Sequence, residues 1–527
     1  MDRVPTEPQP VSEWWRHWRL PLVTGLALAI VTAVPYLYAY AVQAPGHVFM
    51  GFFYLGDDAN TYLAKMRQGW EGSWAWQNRY TTESSPAAYL FMFWIVLGHL
   101  AALLNLPLII VFHLARIAAA FALMAAGWFM ICHFIEDQAA RRFAFFFMAF
   151  GLGMGYVIQA LGQPVIFGHH TDTLDWRMPE LTAFYSILAL PHFAWSGVFA
   201  AAGIGFTFKA IQRGSLVLAV LAGLAWLGQA SIHPQMPILM GGATAVAMLL
   251  SRPSTKQGWV AGALAFAIPA PYILYAYFAF IGNPEVQRWT FHSKNALPPE
   301  GFSFLLAIAP QLLLALVGIP GALRRRSRED LFLVAWLVLL AAILYLPNPA
   351  GDLRRRFLDA LYIPLVILGA RGMFEVILPR FRSARARRLI PFSYVAFAAV
   401  GSAFLVLAPM LVATQPQYVM SQSYYGGLTW LGDQPQGRVL SMPGIGLYVP
   451  AYSPDTVYVG HYDETFDYYT KTQTALALLT GKSDIVAFDQ GNHIRYVIWT
   501  SDLKTPPPAA LGPPAYDTPD FKVWRLY

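Results

Sequence analysis

The sequence has one cysteine, Cys132, and it lies inside an apolar run, so neither a disulfide framework nor a thiolate metal site can be built within the chain. Charge is also scarce. Asp, Glu, Lys and Arg make up 12% of the 527 residues, against about 25% in a soluble globular protein, which excludes an ordinary water-soluble enzyme. No Walker or Rossmann glycine pattern is present to cradle a nucleotide phosphate. Internal repeats and low-complexity tracts are missing too. What the chain has in quantity is apolar surface, 57% hydrophobic and 15% aromatic residues.

Apolar stretches of roughly 20 residues recur, each long enough at about 1.5 Å per residue to cross a hydrocarbon layer of about 30 Å. Eleven spans are expected, at 20–42, 106–135, 143–161, 190–208, 215–230, 237–250, 258–281, 302–323, 331–346, 357–378 and 390–413. Two basic loops orient them, one with Arg324, Arg325, Arg326 and Arg328, the other with Arg380, Arg382, Arg385, Arg387 and Arg388; both are expected in the cytoplasm. The net charge of +7 is thereby read as inner-leaflet anchoring, not as a nucleic-acid partner. Alternating outward from these loops puts Arg141/Arg142, Lys209/Arg213 and Arg252/Lys256 inside, as their charge favours. Residues 1–19, with Trp14, Trp15, Arg16 and Arg19 and no A-x-A cleavage site, read as a cytoplasmic lead-in to a retained first span.

One apolar stretch, 87–104, disturbs this count and is expected to lie in or dip into the outer leaflet as an in-plane helix. Within the membrane domain, 20–414, polar chemistry then gathers in four outer regions, 43–86, 162–189, 282–301 and 347–356. From 415 to 527 the composition is that of a small extracytoplasmic α/β domain. Strands are expected at 438–442, 456–460, 495–500 and 521–526, a helix near 465–479, and a Pro-rich loop at 506–514.

The sharpest polar feature is Gly56-Asp57-Asp58-Ala59, just after the first span. Adjacent carboxylates among aromatics at a membrane surface cost free energy unless they are solvated, paired or bound to a cation. Two readings stay open: a general base with a neighbour that positions it or holds a metal, or a helix start whose free amides the acids satisfy. A further acid, Glu83, follows in Arg79-Tyr80-Thr81-Thr82-Glu83-Ser84-Ser85-Pro86, where the in-plane helix begins.

The order of these features resembles the GT-C glycosyltransferases: a cytoplasmic start, one span, an outer loop with paired acids, the turn Gly69-Trp70-Glu71-Gly72-Ser73-Trp74, then Tyr80-x-x-Glu83-x-x-Pro86 and an aromatic helix. That superfamily includes protein O-mannosyltransferases, lipid A aminoarabinose transferases and the oligosaccharyltransferase catalytic subunit. The resemblance runs loosely over 20–413 and implies an all-α polytopic fold with the small α/β domain appended. It further implies an integral membrane enzyme, in a bacterial inner membrane, that moves a sugar from a polyprenyl-phosphate donor to a glycan, lipid or protein acceptor. A flippase of lipid-linked sugars and a noncatalytic envelope scaffold are the alternatives.

On this resemblance the first-loop acid falls on Asp57 or Asp58, to deprotonate or orient the acceptor, and the acid before proline falls on Glu83, although Glu-Ser-Ser-Pro stands here where relatives often show Glu-Lys-Pro. The second outer loop holds His169, His170, Asp172, Asp175, Arg177 and Glu180. Magnesium or manganese stays open as a cofactor, with Asp58, Asp172, Asp175 and Glu180 as the carboxylates suited to it.

Arg354-Arg355-Arg356 sits on the side the charge rule disfavours, and a guanidinium fork matches phosphate oxygens, so these three are expected at the donor phosphate; lipid headgroups, Asp352 or Asp359 are the other partners available. His192 and His233 stand at breaks in apolar sequence and are expected near the acids, as substrate contacts or as supports of broken helix ends. His113 and Arg116 are expected to make interhelical contacts. Glu285, Arg288, His292 and Lys294 are placed at a lipid entrance. In the α/β domain, Gly460-His461-Tyr462-Asp463-Glu464-Thr465 brings His461 and Glu464 into the set, either as part of the site or as a helix cap.

Overall fold

Twenty uncharged apolar residues can satisfy their backbone groups in lipid only as helix, and in the computed structural model each of the eleven expected spans falls wholly or partly on helix. The structure describes residues 11–251, 255–281, 297–347 and 351–527. Glu285, Arg288, His292 and Lys294 lie outside them, as do Arg252 and the side chain of Asp352. Among the described residues six helices are long and apolar enough to cross a membrane, at His17–Ala41, Leu108–Phe134, Pro191–Arg213, Lys256–Phe280, Tyr362–Arg380 and Ala384–Leu411. A seventh span results if Gly301–Ala307 and Ala309–Arg325, bent by 86°, are one crossing. The chain is an integral membrane protein. Leu216–Ala230 and Met236–Leu250 are shorter apolar helices of 15 residues each.

Two expected elements differ from simple crossings. The stretch 143–161 breaks after Gln138–Phe150 and resumes as the short helix Gly155–Ala160. The helix Met92–Leu104 has 13 residues, about 20 Å of length, which is short of the roughly 30 Å hydrocarbon layer. It packs instead along the first-loop helix Gly56–Trp70, where Gly69 and Gly98 bring the two backbones into contact: a Cβ on Gly98 would overlap the Met66 carbonyl, and one on Gly69 the Ile95 carbonyl.

At the end of the bundle with the basic loops, Asp330 is fully buried between Arg325 (2.8 Å) and Arg371 (2.6 Å), tying three successive spans together. His113 and Arg116 do make interhelical contacts. Arg116 donates to the carbonyls of Ile187 (3.0 Å) and Leu188 (2.6 Å), and His113 lies 3.1 Å from the Gly51 carbonyl.

After the last span the chain folds around a five-stranded sheet in the order Thr456–Val457, Arg438–Leu440, Ile494–Thr500, Phe521–Arg525, Tyr516–Asp517. The first three strands are parallel and the last two join antiparallel. The central strand is buried along nearly its whole length, as a strand covered on both faces must be. Helix Tyr468–Leu479 falls where a helix is expected; Gln422–Gly432 and Ile485–Asn492 are additional. This region rests on the first loop: His47–Phe49 pairs antiparallel with Val419–Ser421, and the Val457 amide donates to the Arg79 carbonyl at 2.9 Å.

Candidate active site

The first-loop helix starts abruptly. Leu55 is held in the left-handed region (φ 50°, ψ 44°), and the next turn carries Asp57 and Asp58, with no side chain capping the helix start. Strain of this kind costs about 1–3 kcal/mol and persists only where packing enforces it. The two acids diverge. Asp57 is exposed and acts on Tyr448, whose phenol is pushed up to about 12 by burial and then by that carboxylate. Asp58 lies deep in the molecule yet keeps 40% of its side chain accessible, as a group facing an internal cleft does. Burial raises its carboxyl above the usual range; Arg356 and Arg355 pull it back, and Glu464 pushes it further up.

The sheet region builds one wall of this cleft. His461 Nε2 lies 3.7 Å from Asp58 Oδ1. Glu464 Oε1 pairs at 2.6 Å with Lys65, two turns along the acid-bearing helix, and both side chains are buried. Thr465 donates to the Tyr80 carbonyl (2.7 Å), and Asn78 donates to the Glu464 carbonyl (2.8 Å). Glu83 is engaged separately. Lys471, on helix Tyr468–Leu479, reaches its Oε2 at 2.6 Å and Thr81 Oγ1 at 3.1 Å. Burial alone would raise the Glu83 carboxyl, but the bonds from Lys471 and Thr81 bring it below the usual range. Lys471, the more buried partner, is drawn down by burial in spite of Glu83.

The opposite wall is the turn Gly351–Leu358. Arg355 Nε donates to Glu180 Oε1 at 3.0 Å. Burial works against this guanidinium charge, but Glu180 and then Asp58 hold it firmly protonated. Glu180 is buried, and its Oε2 has no hydrogen-bond partner among the described residues. Arg356 acts on both Asp58 and Tyr62, and its carbonyl is held by Gln235 Nε2 at 2.9 Å. Arg354 turns back to the Leu344 carbonyl at 3.1 Å.

Tyr62 occupies the floor between the walls, stacked on Trp94 at 4.4 Å and 4.8 Å from the His192 ring. His233, at the break between Leu216–Ala230 and Met236–Leu250, lies beyond His192 (ring centroids 5.8 Å) and binds Asp359 through Nδ1 at 2.9 Å. Asp359, one of the partners available to the arginines by sequence, also accepts from Ser196.

The residues expected at a site therefore separate into groups. Asp58, Arg355, Arg356, Glu180, His461 and Glu464 share one electrostatic cluster. His192 borders it through Tyr62, and His233 through the neighbouring Gln235. Asp57 faces the tyrosines of the sheet region. Tyr62 is the floor residue whose role no motif announces, and Lys65 and Lys471 are cations whose carboxylate partners lie 399 and 388 residues away.

The carboxylates considered for a metal do not converge. Asp172 pairs with Arg177 at 3.0 Å, and His169 lies 3.4 Å from Glu300. Asp175 is fully buried against Gly153 and Gly155, accepting from the Gly155 amide at 3.1 Å, and burial pushes it up to about 7. Among the described residues no three His, Cys, Asp or Glu side chains gather as metal ligands. The donor set among the described residues does not fit a resident divalent ion.

An apolar cavity of about 600 Å³ lies between helices Met92–Leu104, Leu108–Phe134, Pro191–Arg213 and Leu216–Ala230. Phe93, Leu97, Leu114, Trp195, Leu227 and Ser231, two residues before His233, line it.

No protein-family model and no curated protein matches the sequence. Solved structures do match its backbone. The Archaeoglobus fulgidus oligosaccharyltransferase AglB, in complex with an inhibitory peptide and a dolichol-phosphate, aligns over 93% of this chain and 70% of its own, with a TM-score of 0.52 at 12% identity. The same organism's oligosaccharyltransferase complexed with Zn and sulfate aligns over 91% and 68%, with a TM-score of 0.50 at 13% identity. ArnT from Cupriavidus metallidurans in the apo state aligns over 94% and 97%, with a TM-score of 0.48 at 13% identity. A polytopic helical bundle with a small C-terminal sheet region gives this chain the fold of the Archaeoglobus fulgidus oligosaccharyltransferase.

Proposed function

We propose that the protein is a glycosyltransferase that moves a sugar from a polyprenyl-phosphate donor to an acceptor on the extracytoplasmic side of the membrane. The observation that carries this reading is the electrostatic grouping of Asp58 with Arg355 and Arg356, in a molecule that also holds an apolar cavity between its helices. A carboxylate facing two guanidiniums suits a substitution at an anomeric carbon with a phosphate leaving group. The lipid tail would lie in the cavity, its phosphate at Arg355 and Arg356, and the acceptor between Asp58 and the tyrosines around Asp57. Dolichol-phosphate, bound in a neighbour of the same fold, has the same two-part chemistry.

In this reaction the acceptor oxygen or nitrogen forms a bond to the anomeric carbon while the bond from that carbon to phosphate oxygen breaks. The proton of the acceptor passes to Asp58, and the bonding pair leaves on polyprenyl phosphate. Attack opposite the leaving group inverts the configuration. Asp58 is suited to this task because a carboxyl raised by burial is a better base than a solvated one. The arginines stabilise charge that grows on the departing phosphate, an interaction stronger in the transition state than in the ground state. Tyr62 and Trp94 keep the floor apolar and exclude water, which would otherwise compete as acceptor.

The test is donor selectivity. Purified protein in detergent is expected to consume polyprenyl-phosphate sugars and leave nucleotide sugars untouched, with Arg355→Ala and Arg356→Ala raising donor KM or abolishing turnover. Equal use of nucleotide sugars, or indifference to both arginine substitutions, contradicts the reading.

A further inference from the structure

The segment Gly460-His461-Tyr462-Asp463-Glu464-Thr465 belongs to the sheet region, yet it is pinned to the first loop at several points. Thr465 Oγ1 accepts from the Gly460 amide (3.0 Å) and donates to the Tyr80 carbonyl, while Glu464 takes the Lys65 ammonium. Resting on the glycosyl-transfer reading of Asp58, we propose that this segment supplies a positioning residue: His461, fixed as a neutral Nε2–H donor, holds one oxygen of Asp58 so that the other faces the acceptor.

The backbone sets the tautomer. The Asp463 amide donates to His461 Nδ1 at 3.2 Å. A neutral imidazole has one acceptor and one donor nitrogen, so with Nδ1 accepting, the proton sits on Nε2. That nitrogen is buried, makes no hydrogen bond among the described residues, and lies 3.7 Å from Asp58 Oδ1. Catalytic hydrogen bonds tighten in the Michaelis complex, so a separation of this length is within reach of one. Other groups around the pair have separate engagements: Arg355 binds Glu180, Glu464 binds Lys65, and Tyr80 presents its ring to His461 at 6.2 Å while its hydroxyl donates to the Leu447 carbonyl. Protonating Nδ1 would break the Asp463 bond, so His461 holds the base and is not itself the base. The sheet region is on this account part of the reacting site.

Three substitutions separate this role from a structural one. His461→Gln places an amide N–H near the position of Nε2, His461→Asn reaches only toward Nδ1, and His461→Ala removes both. His461→Ala and His461→Asn are expected to lower kcat about 10- to 100-fold with donor KM unchanged, the value of a hydrogen bond to a charged group, and His461→Gln to restore most of it. A readout free of turnover accompanies them: in ¹⁵N-histidine spectra the signal lost in His461→Gln is expected to report the Nε2–H tautomer in the wild type and to move in Asp58→Asn. Equal inactivity of Gln and Ala variants, a rise in donor KM at constant kcat, an Nδ1–H tautomer, or a signal indifferent to Asp58→Asn overturns the proposal. Full activity of Asp58→Asn, or no transfer by the wild type, counts against the glycosyl-transfer reading instead, and the spectra still decide the role of His461.

Discussion

Asp57 and Asp58 are adjacent in the chain and opposite in setting, because a helix turns successive side chains through about 100°. Asp58→Asn is expected to lower kcat by about 10²- to 10⁴-fold, the usual worth of a general base, without lowering the unfolding temperature. Asp57→Asn is expected to have the smaller effect and to act on acceptor KM; both are read from initial rates. Asp175 bears on stability. Its folded value of about 7 lies above the ordinary 3.8, so between those values the unfolded chain ionises while the folded one stays protonated, and stability falls as pH rises across that window. Asp175→Asn is therefore expected to stabilise the protein at pH 8, by up to about 4 kcal/mol at 1.36 kcal/mol per pKa unit, and to change little at pH 4. Thermal unfolding at the two pH values checks this. At this scale the sequence made the acid pair and the arginine run visible, because charges so rare beside apolar spans stand out. It could not separate Asp57 from Asp58, since that choice depends on which wall each side chain meets.

The elements that hold the site together pair across hundreds of residues, and local patterning says nothing of such contacts. Glu83 is an acid before a proline in the sequence; in the fold it docks helix Tyr468–Leu479 through Lys471. Its carboxyl lies below the ordinary 4.5, so the docking it supports is complete above that value and is lost as pH falls through and below it. Hydrogen exchange on residues 468–479 is expected to rise below about pH 4.5 in the wild type and to be raised already at pH 7 in Glu83→Gln. The Lys65 and Glu464 pair is buried more deeply. Lys65→Met leaves an uncompensated carboxylate and is expected to cost about 3–5 kcal/mol, whereas replacing both partners by apolar residues restores much of the loss. A double-mutant cycle in denaturant measures the difference. That 87–104 is not an ordinary long span was legible because it disturbed the charge alternation, and its helix, Met92–Leu104, is short. Its seat against Gly56–Trp70 was not, because it depends on Gly69 and Gly98 meeting backbones from another element.

Over the whole molecule, the chain is a helical bundle whose polar groups collect at the end that carries the sheet region, with an apolar cavity between its helices and the buried Asp330 cluster binding spans at the basic-loop end. Spans are legible in composition since lipid permits only helix there. The break after Phe150 is not, because it arises from where Asp175 is accommodated. The sheet order is likewise a matter of long-range pairing, although four of its five strands follow from alternating or continuous apolar runs. These parts meet in the proposed joint action of Asp58 and the arginines on a lipid-linked sugar. The most direct measurement is transfer of labelled sugar from polyprenyl phosphate to added acceptors by protein in liposomes, comparing wild type, Asp58→Asn and Arg356→Ala. The account predicts labelled acceptor and released polyprenyl phosphate for the wild type, and loss of both in either variant with the fold retained. Undiminished transfer in both variants, or movement of the intact lipid-linked sugar across the bilayer with none transferred, would contradict it.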